Sequence, residues 1–265
     1  MTTTSPSPPE LSPPGTRPRL PAVAGYLLLM AVYHAGEYAM RFHQNVLAFL
    51  GLMLAFVGVA YAVARWQGLA GLRAWGLTGG WRSGPLLVVG LAVGLLAYGL
   101  AFGVRLWLHL EVVAVVPNTL PLLRQTLVFS LGTFLPSLAE DILTRGYVFR
   151  HLRPRFGAAA LVVLSATIYV LNHWYALGNG PAQLVYLFVL GLMLAVPLAV
   201  TRNLWYTVGA HWAGNIVYRF TTDVLTVQAG PNQFPGLWEL TFFVALLIPI
   251  NYFMALYLKR RLRLS

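Results

Sequence analysis

Three small sets of polar residues interrupt an otherwise apolar chain. Glu140 and Asp141 stand side by side, with Arg145 following. Tyr169 and His173 are four residues apart, and so are His211 and Asn215. A glutamate in apolar surroundings can serve as a general base toward water, and a neighbouring histidine can share that proton work. A histidine with an asparagine one helical turn away makes a donor pair suited to a developing oxyanion. Glu140, His173, His211 and Asn215 together would suffice for hydrolysis of a peptide bond by activated water, with no Ser or Cys nucleophile. The same Glu140, His173 and His211 could instead hold a zinc ion, which is commonly bound by two histidines and a carboxylate. No HExxH run is present, so zinc has no ready-made helix here.

Helical geometry divides these residues further. Neighbours on an α-helix are about 100° apart, so Glu140 and Asp141 cannot face the same way. Asp141 and Arg145 stand at i, i+4 in the favourable acid-first order and are expected to pair. Glu140 then shares a face with Thr144. Ser165, Tyr169 and His173 form one polar stripe. Each set also has a plainer reading: acids capping a helix at the interface, histidines bonding between helices, and an asparagine acting as packing glue. His34 and Glu37 are an i, i+3 pair, read as an internal hydrogen bond or part of a proton path. His43, His109 and His151 lie near predicted helix ends and read as interfacial.

The elements that must position these groups are set by composition. Of the 265 residues 58% are hydrophobic and 9% charged, against about 25% charged in a soluble domain. Eight apolar segments are expected at about 22–40, 45–64, 85–108, 122–139, 157–176, 182–200, 204–221 and 237–257, most near the length that crosses about 30 Å of hydrocarbon. The fold class is therefore all-α, a polytopic transmembrane bundle of about eight helices. Residues 1–21, rich in Pro, Ser and Thr, read as a disordered tail, with one transmembrane domain at 22–258 and a basic tail at 259–265. If the segments alternate across the membrane, all the basic residues except Arg41, Arg105, Arg124 and Arg219 fall on the side of the N-terminus. Positive charge marks the cytoplasmic side, which puts both termini there. The linker from Arg65 to Gly84 is read either as an interfacial helix, with Trp66, Leu69, Leu72, Trp75 and Trp81 on one side, or as a loop anchored by aromatics.

Composition also excludes several functions. The net charge of +11 comes from residues clustered at helix ends, a pattern that serves topology and anionic headgroups and not nucleic acid. Cysteine is absent, which removes thiol catalysis and disulfides. Continuous apolar runs exclude a β-barrel. A carrier using Glu and His as a proton relay is the main rival to an enzyme, although the repeated broken helices of such folds are not evident.

The three motifs resemble those of the CAAX protease and bacteriocin-processing family of intramembrane proteases, which includes the Ras-converting CAAX endopeptidase. That family carries Glu-Glu-x-x-x-Arg, Phe-x-x-x-His and His-x-x-x-Asn, matched here by Glu140-Asp141-Ile-Leu-Thr-Arg145, Tyr169-x-x-x-His173 and His211-x-x-x-Asn215. The resemblance covers roughly 125–220. It implies that Glu140 and His173 activate water, that His211 and Asn215 hold the oxyanion, and that Arg145 organises the site through Asp141. It further implies a peptide or protein substrate, lipidated or membrane-inserted, of CAAX-like, bacteriocin or sorting-signal type. The implied setting is the lipid bilayer of a prokaryotic plasma membrane. Asp141 in place of Glu shortens the reach to Arg145 by one methylene, and Tyr169 in place of Phe adds a hydroxyl. A catalytically silent immunity or scaffold protein is the other reading within the family.

Overall fold

The structure is a computed structural model that describes residues 19–232 and 237–264. Among the described residues nine α-helices follow one another: α1 (Arg19–His43), α2 (Val46–Trp66), α3 (Ser83–Trp107), α4 (Thr119–Asp141), α5 (Tyr147–Leu152), α6 (Ala158–Asn172), α7 (Pro181–Thr201), α8 (Trp205–Arg219) and α9 (Trp238–Arg261). A π-helical turn, Ile142–Gly146, joins α4 to α5, so that Thr119–Leu152 runs as one span of 34 residues. The all-α polytopic bundle expected from composition is what the chain forms. Five spans are long and apolar enough to cross a membrane: Val46–Trp66, Ser83–Trp107, Thr119–Leu152, Pro181–Thr201 and Trp238–Arg261. The other three expected segments differ for local reasons. Helix α1 carries His34, Glu37 and Arg41 in its second half, while α6 and α8 have only 15 residues each.

The bundle is apolar outside as well as inside. Leu47, Leu96, Leu120 and Phe253 are among the many large apolar residues that stand exposed, the arrangement a lipid surround requires. Two buried clusters fill the interior. One gathers Leu29, Tyr33, Phe56, Trp75, Leu138, Ile142 and Tyr147 from α1, α2, α4, α5 and the turn after α2. The other gathers Leu86, Met193, Leu194, Tyr206, Val244 and Leu247 from α3, α7, α8 and α9. Helix α8 contributes to both, Val208 to the first and Ala210 to the second.

Several expectations are corrected at the edges. Of the tail expected over 1–21, residues 1–18 lie outside the described residues, and α1 already begins at Arg19. Lys259, Arg260 and Arg261 belong to α9, not to a separate tail. The 65–84 linker is no single amphipathic helix: Leu69 and Trp75 are buried, whereas Trp66 and Trp81 are exposed. Trp75 donates its indole N–H to the Ala60 carbonyl at 3.0 Å and stacks on Tyr147, so it is a core plug. A two-stranded antiparallel sheet, β1 (Glu111–Val115) with β2 (Thr226–Ala229), was not anticipated. Arg105 at the end of α3 holds it in place, bonded to Glu111 at 3.0 Å and to Glu239 of α9.

The closest approach in the bundle is between α3 and α8. A Cβ on Gly90 would collide with the Tyr206 carbonyl oxygen, and one on Gly209 with the carbonyl of Leu87. Small residues at such crossings let backbones meet where no hydrophobic effect drives helices together. Gly209→Ala is therefore expected to destabilise by about 1–3 kcal/mol. Gly103→Ala, in open space on α3, is expected to leave the unfolding midpoint unchanged or raised. Thermal unfolding of both variants in detergent checks the contrast.

Candidate active site

The helices α4, α6 and α8 bring all three sequence motifs into one buried cluster. Pro136 lies inside α4, where it removes one helical hydrogen bond, and the π turn begins at Ile142. Glu140 and Asp141 sit between these two irregularities. They are 6% and 0% exposed. Gly146 ends the π turn because Trp75 packs directly on it: a Cβ there would lie 2.5 Å from the Trp75 carbonyl oxygen.

Asp141 accepts a hydrogen bond from Arg145 Nη1 at 2.5 Å, the i, i+4 pair that the spacing predicts. Arg145 is wholly buried and also donates to Thr144 Oγ1 at 3.0 Å. Its remaining donors, Nε and Nη2, have no hydrogen-bond partner among the described residues. The guanidinium carbon instead lies 4.6 Å from the centre of the Tyr169 ring, so a cation–π contact covers the charge. The ring of Tyr169, the family's usual aromatic with a hydroxyl added, is thus in direct use.

The same Asp141 Oδ1 lies 3.1 Å from His211 Nδ1. Because a carboxylate can only accept, Nδ1 carries the proton and His211 presents Nε2 to Glu140 Oε2 at 3.5 Å. Glu140 points away from Asp141, as helical geometry requires, and its Oε1 accepts from Asn172 Nδ2 at 3.0 Å. The Thr144 hydroxyl donates to the Glu140 carbonyl at 2.8 Å, and Ser165 donates to the Thr144 carbonyl at 2.8 Å, tying α6 to the π turn.

His173 is placed less tightly. Helix α6 ends at Asn172, and His173 opens a 3₁₀ turn over Trp174–Asn179. Its Nδ1 donates to the Tyr169 carbonyl at 2.8 Å and comes no nearer than 3.7 Å to Glu140 Oε1. The side chain is 29% exposed, against 8% for Glu140. Asn215 donates through Nδ2 to Ser137 Oγ at 2.8 Å, which fixes it against α4 one turn before Glu140. Asn172 and Ser137 were both missed from sequence. The i, i+4 pattern pointed at His173, and Asn172, immediately before it, belongs to the other side of the helix end.

The acids also lie deeper than the end of an apolar run suggests. The helical path continues 12 residues beyond Glu140 to Leu152, roughly 18 Å at 1.5 Å per residue. No group of three His, Asp or Glu side chains among the described residues could hold a metal ion. Of the three residues that could share a zinc ion, His173 and His211 each lie within 4 Å of Glu140, at 3.7 and 3.5 Å, and each bonds through Nδ1, to the Tyr169 carbonyl and to Asp141, which leaves both Nε2 atoms toward the cluster. His34 bonds Glu37 at 3.2 Å and stacks on Trp174 at 4.4 Å between centres, an internal pair beside the cluster.

A many-helix membrane bundle with a buried carboxylate, histidine and arginine cluster is the class that this fold and this site define. Residues 122–217, from α4 through most of α8, match the family model described as type II CAAX prenyl endopeptidase Rce1-like. The chain thus carries a Rce1-like domain, in keeping with the family its motifs resemble, and it is an integral multi-pass membrane protein. No curated protein and no solved structure matches it.

The buried Asp141–Arg145 pair gives a direct test of the cluster. Removing one partner of a buried ion pair costs about 3–5 kcal/mol. Arg145→Gln is expected to show a loss of that size in denaturant unfolding, whereas Arg150→Gln, at an exposed position, is expected to show none.

Proposed function

We propose that this protein is an intramembrane endopeptidase in which Glu140 activates a water molecule for attack on a peptide carbonyl. The observation that carries the reading is the different partnership of the two adjacent acids. Asp141 is committed to Arg145 and His211, while one oxygen of Glu140 is steadied by Asn172 and the other faces His211 Nε2 across 3.5 Å. The Rce1-like match supports the same class of activity.

In this reading the water oxygen bonds to the substrate carbonyl carbon while Glu140 takes the water's proton. As the tetrahedral intermediate forms, His211 in its doubly protonated form would turn its Nε2–H to the oxyanion, beside the second amide hydrogen of Asn215. Asp141 holds the His211 ring and balances its charge, as a carboxylate partner does for a catalytic imidazole. The C–N bond then breaks, and the amine leaves with the proton that Glu140 took, passed directly or through His173, whose side chain is 29% exposed. Asp141, Arg145 and Tyr169 are positioning residues. The substrate is a peptide or protein tail that reaches mid-membrane depth, and the positive-inside asymmetry supports entry from the cytoplasmic side. A Glu/His proton relay in a carrier is less well served, because Arg145 and His211 both lock onto Asp141 in one buried cluster.

The direct test is proteolysis of membrane-anchored peptides with C-terminal tails by the purified protein in liposomes, with products read by mass spectrometry. Wild type is expected to cleave; His211→Ala and Asn215→Ala are expected to lose about 10²–10³-fold, the cost of an oxyanion donor. His173→Ala is expected to lose about 10²–10⁴-fold, in the range of a proton-transfer group. Substrate flux without any cleavage would favour the carrier instead. Direct activation of water by Glu140 further predicts that excess chelator leaves the rate unchanged, which a metal analysis of the same sample checks.

A further inference from the structure

A second polar feature lies apart from the cluster, at the end of the bundle where α2, α5, α7 and α9 finish. A cavity of about 380 Å³ opens there, lined by Thr78, Arg82, Thr201, Arg202, Asn203 and Leu264 among others. Its floor is built. Asn203 Nδ2 donates to Thr78 Oγ1 at 2.6 Å, Trp205 Nε1 donates to the Thr78 carbonyl at 3.0 Å, and Thr201 donates to the Asn203 carbonyl at 3.0 Å. The Thr78 hydroxyl accepts in this network and keeps its own hydrogen for a ligand.

Two arginines line this cavity, and among the described residues no Asp or Glu does. Arg82 donates to the Arg263 carbonyl at 3.4 Å and lies 5.2 Å from the Trp81 ring centre. Arg202 bonds the Leu198 carbonyl through its backbone N–H, while its exposed guanidinium has no hydrogen-bond or ion-pair partner among the described residues. Its backbone is left-handed, φ 56° and ψ 20°, at the position that ends α7. Glycine or asparagine normally fills such a cap, and a bulkier side chain costs about 1 kcal/mol there. An unpaired arginine at a strained position beside a second arginine points to a ligand.

The surroundings indicate which ligand. The same end carries Arg65, Arg73, Arg153, Arg155, Lys259 and Arg260, and none of the acids of the described residues, which lie in the helix interiors or at the opposite end. Trp81, 73% exposed, sits at the rim. Exposed tryptophan and clustered arginine mark the headgroup layer. We propose that this cavity binds the phosphate of an anionic phospholipid headgroup, with Arg82 and Arg202 as a forked clamp and Thr78 as a third donor. One such lipid would tie together the entry to α3 and the ends of α7 and α9.

The test uses full-length protein, stripped of lipid in a neutral detergent. Phosphatidylglycerol, phosphatidylcholine and inorganic phosphate are titrated at matched phosphate concentration, with unfolding midpoint and native mass spectrometry as readouts. Phosphatidylglycerol is expected to raise the midpoint saturably and to leave one lipid bound; the other two are expected to do neither. Arg202→Gly, which suits the left-handed backbone and so preserves the fold, and Arg82→Gln should each weaken the response about tenfold or more. Arg153→Gln, an exposed arginine elsewhere on the same end, should not. Unchanged phosphatidylglycerol binding in both cavity variants would overturn the proposal. So would an equal loss in Arg153→Gln, an equal response to phosphatidylcholine, or an equal response to inorganic phosphate, the last of which would make the cavity a free-phosphate site.

Discussion

Two carboxylates side by side in the interior of a membrane bundle must be neutralised, and the structure is arranged around that requirement. A charged side chain at the bilayer centre costs about 2.5–3.5 kcal/mol even on lenient scales. Asp141 meets the cost with Arg145, whose own charge is covered by the Tyr169 ring. Glu140 is steadied differently: Asn172 donates to one of its oxygens, and the other lies 3.5 Å from His211 Nε2.

The elements that hold the cluster follow from the same constraint. A regular helix from Thr119 to Leu152 would keep every backbone group paired; the chain instead places Pro136 and a π turn on either side of the acids. The π turn is locked by the Thr144 and Ser165 bonds and by Trp75 pressing on Gly146. On the other side, Gly90 and Gly209 let α8 approach α3 closely, which sets the depth at which His211 meets the acids. Irregular backbone at membrane depth is tolerable only inside protein, and the π turn is buried throughout.

Much of this was legible in the sequence because the signals are periodic or costly. Apolar runs marked the helices, the i, i+4 spacing marked the Asp141–Arg145 pair, and the 100° step separated Glu140 from Asp141. What was not legible depended on where helices end and how they meet. Helix α6 stops at Asn172, one residue short of the expected stripe, and so Asn172 takes the place at Glu140 that the pattern gave to His173. Trp75 read as an interfacial aromatic, since its partner carbonyl at Ala60 and its stack on Tyr147 are tertiary contacts. The β1–β2 sheet joins segments more than a hundred residues apart, and the left-handed backbone of Arg202 leaves no trace in its residue type.

The division of labour between the two acids is the central claim, and Glu140→Gln tests it most directly. Glutamine keeps the size of the side chain and the oxygen that Asn172 bonds, so the fold is expected to stand with an unchanged unfolding midpoint. Cleavage of a membrane-anchored peptide in liposomes is then expected to fall to background, because the amide cannot take a proton from water. Cleavage by a folded Glu140→Gln protein within tenfold of the wild-type rate would contradict the account.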